Sequence, residues 1–230
     1  MKIVKSKIGW KILEKGMKSQ HNNFKWKKNK WYKHEGKINI CNAGFHASKE
    51  LVSAISYLTP GIICKVEYKG EIEEQEDKFV ASEMRVIETY RFTKRIGVEW
   101  SVYCARSCLK NWNAYDKTDK RPLEAIDAAE AWLKNPTKKN RELAQSAARS
   151  AWSAGSAESA RSAGLAARSA GSAAESVWSA RSAWSPRSVW SAAESAGSAA
   201  AESVVEQKMK NKLHKKLLKI IGAKELGLEE

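Results

Sequence analysis

The chain has 230 residues, with 41 Lys and Arg against 26 Asp and Glu and a formal net charge of +15. That length fits one large domain or two small ones, and no run of about 18 apolar residues is present to cross a membrane. The four cysteines (41, 64, 104 and 108) lack a metal-ligand spacing such as CxxC, so the default reading is reduced, buried thiols in a cytosolic protein.

Residues 1–37 hold twelve Lys against two Glu, a local charge of +10. Aromatic residues interleave with the lysines: Trp10, Phe24, Trp26, Trp31 and Tyr32 among Lys25, Lys27, Lys28, Lys30 and Lys33. Phe24-Lys-Trp-Lys has the period of two of a strand with rings on one side and ammonium groups on the other. Basic residues set among aromatics can neutralise phosphates and stack bases, and they also suit an acidic protein face. Lys25, Trp26, Lys27, Lys28, Lys30 and Trp31 are therefore the first candidate binding residues. Gly9, Gly16 and Gly36 are expected to mark turns. The amino-terminal stretch has no apolar core followed by a cleavage site, so no secretory leader is expected.

Residues 37–41 are predicted as a short strand, and Asn42–Ser48 as a turn. Glu50–Leu58 follows as a helix capped by Ser48 and ended by Pro60-Gly61. Ile62–Tyr68 is apolar and β-branched enough for a strand. Gly70–Lys78 is a charged turn and edge, and Phe79–Ile87 another strand. These elements make a small α+β module ending near residue 95.

The order Cys41-Asn-Ala-Gly-Phe-His-Ala, Ser56-Tyr57, Val66-Glu-Tyr-Lys-Gly-Glu-Ile72 and Val80-Ala-Ser82 resembles an uncharacterised domain of phage and prophage proteins, over about residues 5–90. The resemblance implies a mobile genetic element and no particular chemistry. More distantly, Gly44-Phe45-His46 followed by Tyr57 resembles the dinucleotide pocket of ADP-ribosyltransferases. That family places an activating Glu where this chain has Lys78, which cannot accept a hydrogen bond; Glu83 is the nearest carboxylate on the same strand.

Val98, Val102, Ala105 and Leu109 recur at helical spacing within residues 96–112. Residues 111–119 are expected to form a loop. Pro122 opens the next helix, with Asp119 or a neighbour as its cap, and Asn135-Pro136 stops it. Thr137 can cap the helix after that. Cys104-Ala-Arg106, followed by Asp119-Lys-Arg-Pro-Leu-Glu-Ala-Ile-Asp-Ala-Ala-Glu-Ala-Trp-Leu133 and Ala-rich helices, resembles an immunity protein family linked to bacterial toxin systems, over about residues 98–205. The resemblance implies an all-helical array and a toxin-like partner. Members often carry His in the Ala-rich helices, and this chain has none between residues 47 and 213.

Ser146–Val205 is a repeat in which Ser and Ala fill 37 of 60 positions. Arg149, Arg168 and Arg187 open units 19 residues apart. Ala content predicts helix, and a fixed period predicts stacked units sharing a core. Gly164-Leu165 and Ser185-Pro186 are the candidate breaks. Trp152, Trp178, Trp184 and Trp190 supply bulk that the small residues lack, as core or as a docking surface. The three repeat arginines form the second set of candidate binding residues. Val204–Ile221 is a basic amphipathic helix ended by Gly222, and residues 223–230 are a tail.

The sequence thus predicts an α+β chain: a sheet-and-helix module over 1–95, then an all-α unit over 96–222 with repeats at about 149–205. No Ser/His/Asp arrangement, P-loop, metal cluster or pair of catalytic carboxylates stands out, so neither catalysis nor a cofactor is expected. The expected function is that of a phage- or prophage-type binding protein. It would neutralise a bacterial effector protein or nucleoprotein in the host cytoplasm, in immunity or counter-defence of the anti-CRISPR kind. Direct RNA or DNA binding by the basic start is the first alternative, and a degenerate ADP-ribosyltransferase-like module the second. No membrane is expected as a partner, and exposed Ala/Ser faces also suit packing on a second copy of the chain.

Overall fold

A computed structural model describes residues 6–20, 22–55, 61–156, 161–178 and 203–222. The chain divides into two units, Met1–Phe92 and Thr93–Glu230. The first is an antiparallel sheet with one short helix and the second is helical, which is the α+β arrangement expected from the sequence.

The first unit contains β1 (Lys7–Glu14), β2 (Tyr32–Lys33), β3 (Phe45–Ala47), α1 (Leu51–Ile55), β4 (Gly61–Glu74) and β5 (Phe79–Arg91). The strand order is β1-β4-β5-β2, with β3 also paired to β5. The sheet curls until its two edges meet. Ser48, just beyond β3, donates its N–H to Trp10 O at 2.8 Å and accepts from Trp10 N at 2.7 Å. Closure leaves β1 without a solvent face: Gly9 and Trp10 are both buried, and so are Ile12 and Leu13. A strand buried on both sides loses the apolar–polar alternation that would announce it. Gly9 is therefore a strand residue and not the expected turn. A Cβ there would lie 2.8 Å from the Phe79 ring and 3.0 Å from Ser48 O.

Other boundaries also differ from expectation. Residues 37–41 form no strand; the pairing segment is Phe45–Ala47, inside the expected turn. β4 runs on to Glu74, through a bulge where Gly70 takes φ +84° and Glu71 N donates to Ser82 Oγ at 2.9 Å. A bulge lets a long strand bend with the closing sheet. The α1 helix is described to Ile55, so the expected helix end at Pro60 lies outside the described residues. The Phe24–Lys27 segment belongs to no named strand, although Phe24 and Trp26 both turn inward as expected. The core joins Leu13, Trp26, Ala47, Cys64, Val66, Tyr68, Phe79, Ala81, Met84 and Val86.

The second unit contains α2 (Lys94–Tyr115), α3 (Arg121–Lys134), α4 (Lys138–Ser156), α5 (Arg161–Trp178) and a last helix, α6 (Ser203–Ile221). Thr93 caps α2 by accepting from Ile96 N at 3.3 Å. α2 extends past the expected start of the loop to Tyr115. Pro122 sits in the first turn of α3, and Thr137 Oγ1 accepts from Asn140 N at 3.2 Å to cap α4.

α4 is described to Ser156 and α5 from Arg161, and Gly164-Leu165, an expected break, lies inside α5. Glycine costs a helix only about 1 kcal/mol relative to Ala, and here it allows close approach. A Cβ on Gly155 of α4 would stand 2.8 Å from the main-chain oxygen of Gly164. A Cβ on Gly171 of α5 would stand 2.9 Å from the Trp152 indole. Because the later α4 residue meets the earlier α5 residue, the two helices are antiparallel. Trp152 and Gly171 occupy the same phase of the 19-residue repeat, so one unit's large residue fills the space left by the next unit's glycine. Within the described part of α5, Ala167, Ser169–Ala174, Ser176 and Val177 are all buried. α5 is thus the central helix of the unit, and Trp152 packs as a core filler. Pro186, Trp184, Trp190 and Arg187 lie outside the described residues.

Candidate partner-binding surfaces

The basic start of the chain is folded onto the sheet by its aromatic residues. Trp26 is buried at 2% exposure and meets Phe24, Tyr32 and Phe45 edge-on, each at 5.2 Å between centroids. Its indole N–H donates to Ser19 Oγ at 2.9 Å, and its main-chain N–H to Met17 O at 2.8 Å. The loop also docks through Lys27 N on Tyr32 Oη at 3.0 Å and Asn29 N on Val86 O at 2.7 Å. Met17, Asn23 and Asn29 turn the chain with positive φ. With Phe24 and Trp26 held inward, Lys25, Lys27, Lys28 and Lys30 are exposed. The buried Trp26 ring is unavailable for stacking and serves to position the lysines.

Trp31 is half-buried on the sheet's outer side. Lys69 Nζ lies 4.5 Å from its ring centroid and the Arg85 guanidinium carbon 4.9 Å. Both cations are tied across β4 and β5, Lys69 to Glu83 at 3.4 Å and Arg85 to Glu67 at 2.5 Å. Burial opposes the Glu67 charge, but its bonds with Ser6 and Arg85 prevail and keep the carboxyl below the ordinary range. This lattice joins Trp31 to residues 38 and 54 positions later, so no local pattern could have revealed it.

His46 and Lys78 both have partners within the first unit. The His46 Nε2 accepts from Cys41 N at 2.8 Å, and the His46 carbonyl accepts from Lys11 Nζ at 2.6 Å. Burial first, then the Lys11 and Lys78 charges, lowers the His46 pKa. Glu83 is committed to Lys69, and Tyr57 lies outside the described residues. Cys41 is exposed, in contrast to the expected buried thiols. Its left-handed turn at φ +68° sets the side chain outside, where Lys78 Nζ lies 3.0 Å from the sulfur.

Lys11 points its ammonium inward, 5.6 Å from the Trp26 centroid. Burial brings its pKa down to about 8 from the ordinary 10.5, against a smaller opposing effect of Cys64. A depressed lysine binds its proton less well folded than unfolded, so stability rises with pH between those two values and is lost as pH falls through 8. Lys11→Met should remove that slope and stabilise the protein at pH 7 by up to about 3 kcal/mol, as measured by urea unfolding from pH 6 to 11.

In the helical unit, the residues of the Asp119–Leu133 motif hold helix ends. Asp119 accepts from Arg121 N at 2.9 Å and takes the Arg121 guanidinium in a fork, which lowers the Asp119 pKa. Trp112 Nε1 donates to Asp119 O at 2.9 Å, and Arg95 to Leu133 O at 2.7 Å. Arg106 bridges α2 to α3 through Asp127 at 2.6 Å and Glu130 at 3.0 Å. The motif is thus structural. Of the repeat arginines, Arg149 on α4 and Arg168 on α5 are exposed. Among the described residues no group of His, Cys, Asp and Glu could hold a metal ion, and no helix is long and apolar enough to cross a membrane.

Residues 89–187 match the Imm-5 like putative immunity protein family. Residues 7–96 match a domain of unknown function, DUF7666. The two matches meet near the boundary between the sheet and helical units, and the Imm-5 like match supports an immunity-type role in general. No curated protein and no solved structure matches the chain.

Proposed function

We propose that the protein neutralises a bacterial effector, either a protein or a nucleoprotein, by binding it in the cytoplasm, as an immunity or counter-defence inhibitor of phage or prophage type. The observation that carries this reading is the Imm-5 like match over the helical unit. Two structural facts support it. The recognisable motif of that unit is committed to helix ends, and the first unit displays lysines on a loop anchored by buried aromatics. In this reading the sheet unit presents Lys25, Lys27, Lys28, Lys30 and Trp31 to the effector, with Trp26 fixing their positions. Arg149 and Arg168, with Arg187 in the same repeat phase, form the second contact set.

The test is affinity capture from bacterial lysate with and without nuclease, followed by co-expression of the captured protein. One protein enriched in both conditions, whose toxicity is relieved by this chain, is the expected result. Replacing Lys25, Lys27, Lys28 and Lys30 by Ala should weaken capture at least 10-fold with an unchanged unfolding midpoint. Capture that vanishes with nuclease, or a captured protein whose activity is unaffected by this chain, would overturn the reading.

A further inference from the structure

The last helix, α6, lies beyond both family matches. Its apolar side is fixed: Leu213, Leu217 and Leu218 are buried, and Leu213 O accepts from the buried Trp100 indole at 3.4 Å. The opposite side faces a groove of about 730 Å³ lined by Tyr103 of α2 together with Lys208, Asn211, Lys212, Lys215, Lys216, Leu218 and Lys219. Among the described residues no carboxylate lines it. None of its five lysines forms an ion pair among the described residues.

The spacing is regular. At about 100° per residue the five lysines fall within an arc of roughly 100°, and from Lys208 to Lys219 they extend about 16 Å along the helix axis. Two of them are ordered over one ring: Lys212 Nζ lies 5.8 Å and Lys216 Nζ 5.3 Å from the Tyr103 centroid. Aromatic contact holds two long side chains at the groove without neutralising them.

We infer that the α6–Tyr103 groove binds the phosphate backbone of nucleic acid, without reading its sequence. Three features select phosphate over an acidic protein face. All five cations are lysines, which act as point charges on phosphate, whereas planar carboxylates are matched best by the arginine fork. The charges form a line, which fits a polymer with evenly spaced anions. Among the described lining residues the one aromatic ring, Tyr103, lies beneath the lysines, so these residues offer charge and no stacking ladder for bases. This site is independent of the effector-binding surface proposed above and stands or falls separately from it.

The experiment is fluorescence anisotropy of the full chain with a labelled random-sequence DNA duplex at 50–200 mM salt. Inorganic polyphosphate and poly-glutamate serve as competitors. If all five lysines neutralise phosphates, they contribute a slope of roughly −4.5 to log K against log salt, a loss of about 10²–10³ in affinity over that range. Replacing the five lysines by Ala should remove most of that slope and weaken binding more than 10-fold at 100 mM salt, with helicity unchanged because both residues favour helix. Replacing them by Arg should retain binding. The N-terminal Lys25/Lys27/Lys28/Lys30→Ala variant should leave the α6 contribution in place. Polyphosphate should displace the duplex and poly-glutamate should not. Equal duplex affinity for the wild type and the α6 alanine variant would overturn the inference, as would displacement by poly-glutamate as readily as by polyphosphate.

Discussion

Trp26→Ala should cost the protein about 3–5 kcal/mol, the range for truncating a buried aromatic, whereas Trp31→Ala should cost about 1 kcal/mol or less. The two residues stand five apart in the same basic stretch and look equivalent in the sequence. Their surroundings differ. Trp26 is 2% exposed, meets three rings edge-on and closes two hydrogen bonds. Edge-to-face pairs add about 0.5–1.5 kcal/mol each beyond buried area, so the ring cluster is a large share of what ties residues 15–31 to the sheet. Trp31 is held by two cations at a half-exposed position, worth about 0.5–1 kcal/mol apiece. Thermal unfolding of both variants checks the contrast. The same pair tests the proposed contact surface. Trp31→Ala should weaken effector binding by roughly 30-fold, the 2 kcal/mol typical of an aromatic hot spot, with little change in unfolding midpoint. Weakening by Trp26→Ala should instead follow the lost fold.

The contrast shows where sequence reading reaches its limit. The start of α3, the start of α4 and the end of α6 were legible almost to the residue, because Pro122, Thr137 and Gly222 act through local backbone chemistry. β5 was legible from its β-branched residues, but not to its end. β1 was not, because closure of the sheet through Trp10 and Ser48 buries both of its sides and removes the period of two. β3 reads as a turn in the sequence because its three residues gain strand character only from β5, some 35 positions later. The same division holds for the candidate surfaces. The lysines of residues 25–30 could be listed from composition, but their exposure depends on where Phe24 and Trp26 point. The Lys69 and Arg85 side chains under Trp31 were invisible, since cross-strand register decides them. The lysine stripe of α6 was plain in the sequence, whereas the groove it makes with Tyr103 arises only when the helix docks on α2.

In the repeat, one substitution should reverse sign with its background. Gly171→Ala should destabilise the wild-type protein by about 1–3 kcal/mol, the cost of overpacking a filled site. The new methyl would stand 2.9 Å from the Trp152 ring, and that contact outweighs the roughly 1 kcal/mol by which Ala favours helix over Gly. With Trp152 already replaced by Ala, the obstacle is gone and the propensity gain remains, so the same change should stabilise by about 1 kcal/mol. Urea unfolding of the four proteins in this cycle measures the coupling directly. A coupling of 2 kcal/mol or more would establish that consecutive 19-residue units fit by alternating a large and an absent side chain at one repeat position. Additive effects would show that the indole swings aside at no cost, and that the α4–α5 contact depends on Gly155 against Gly164.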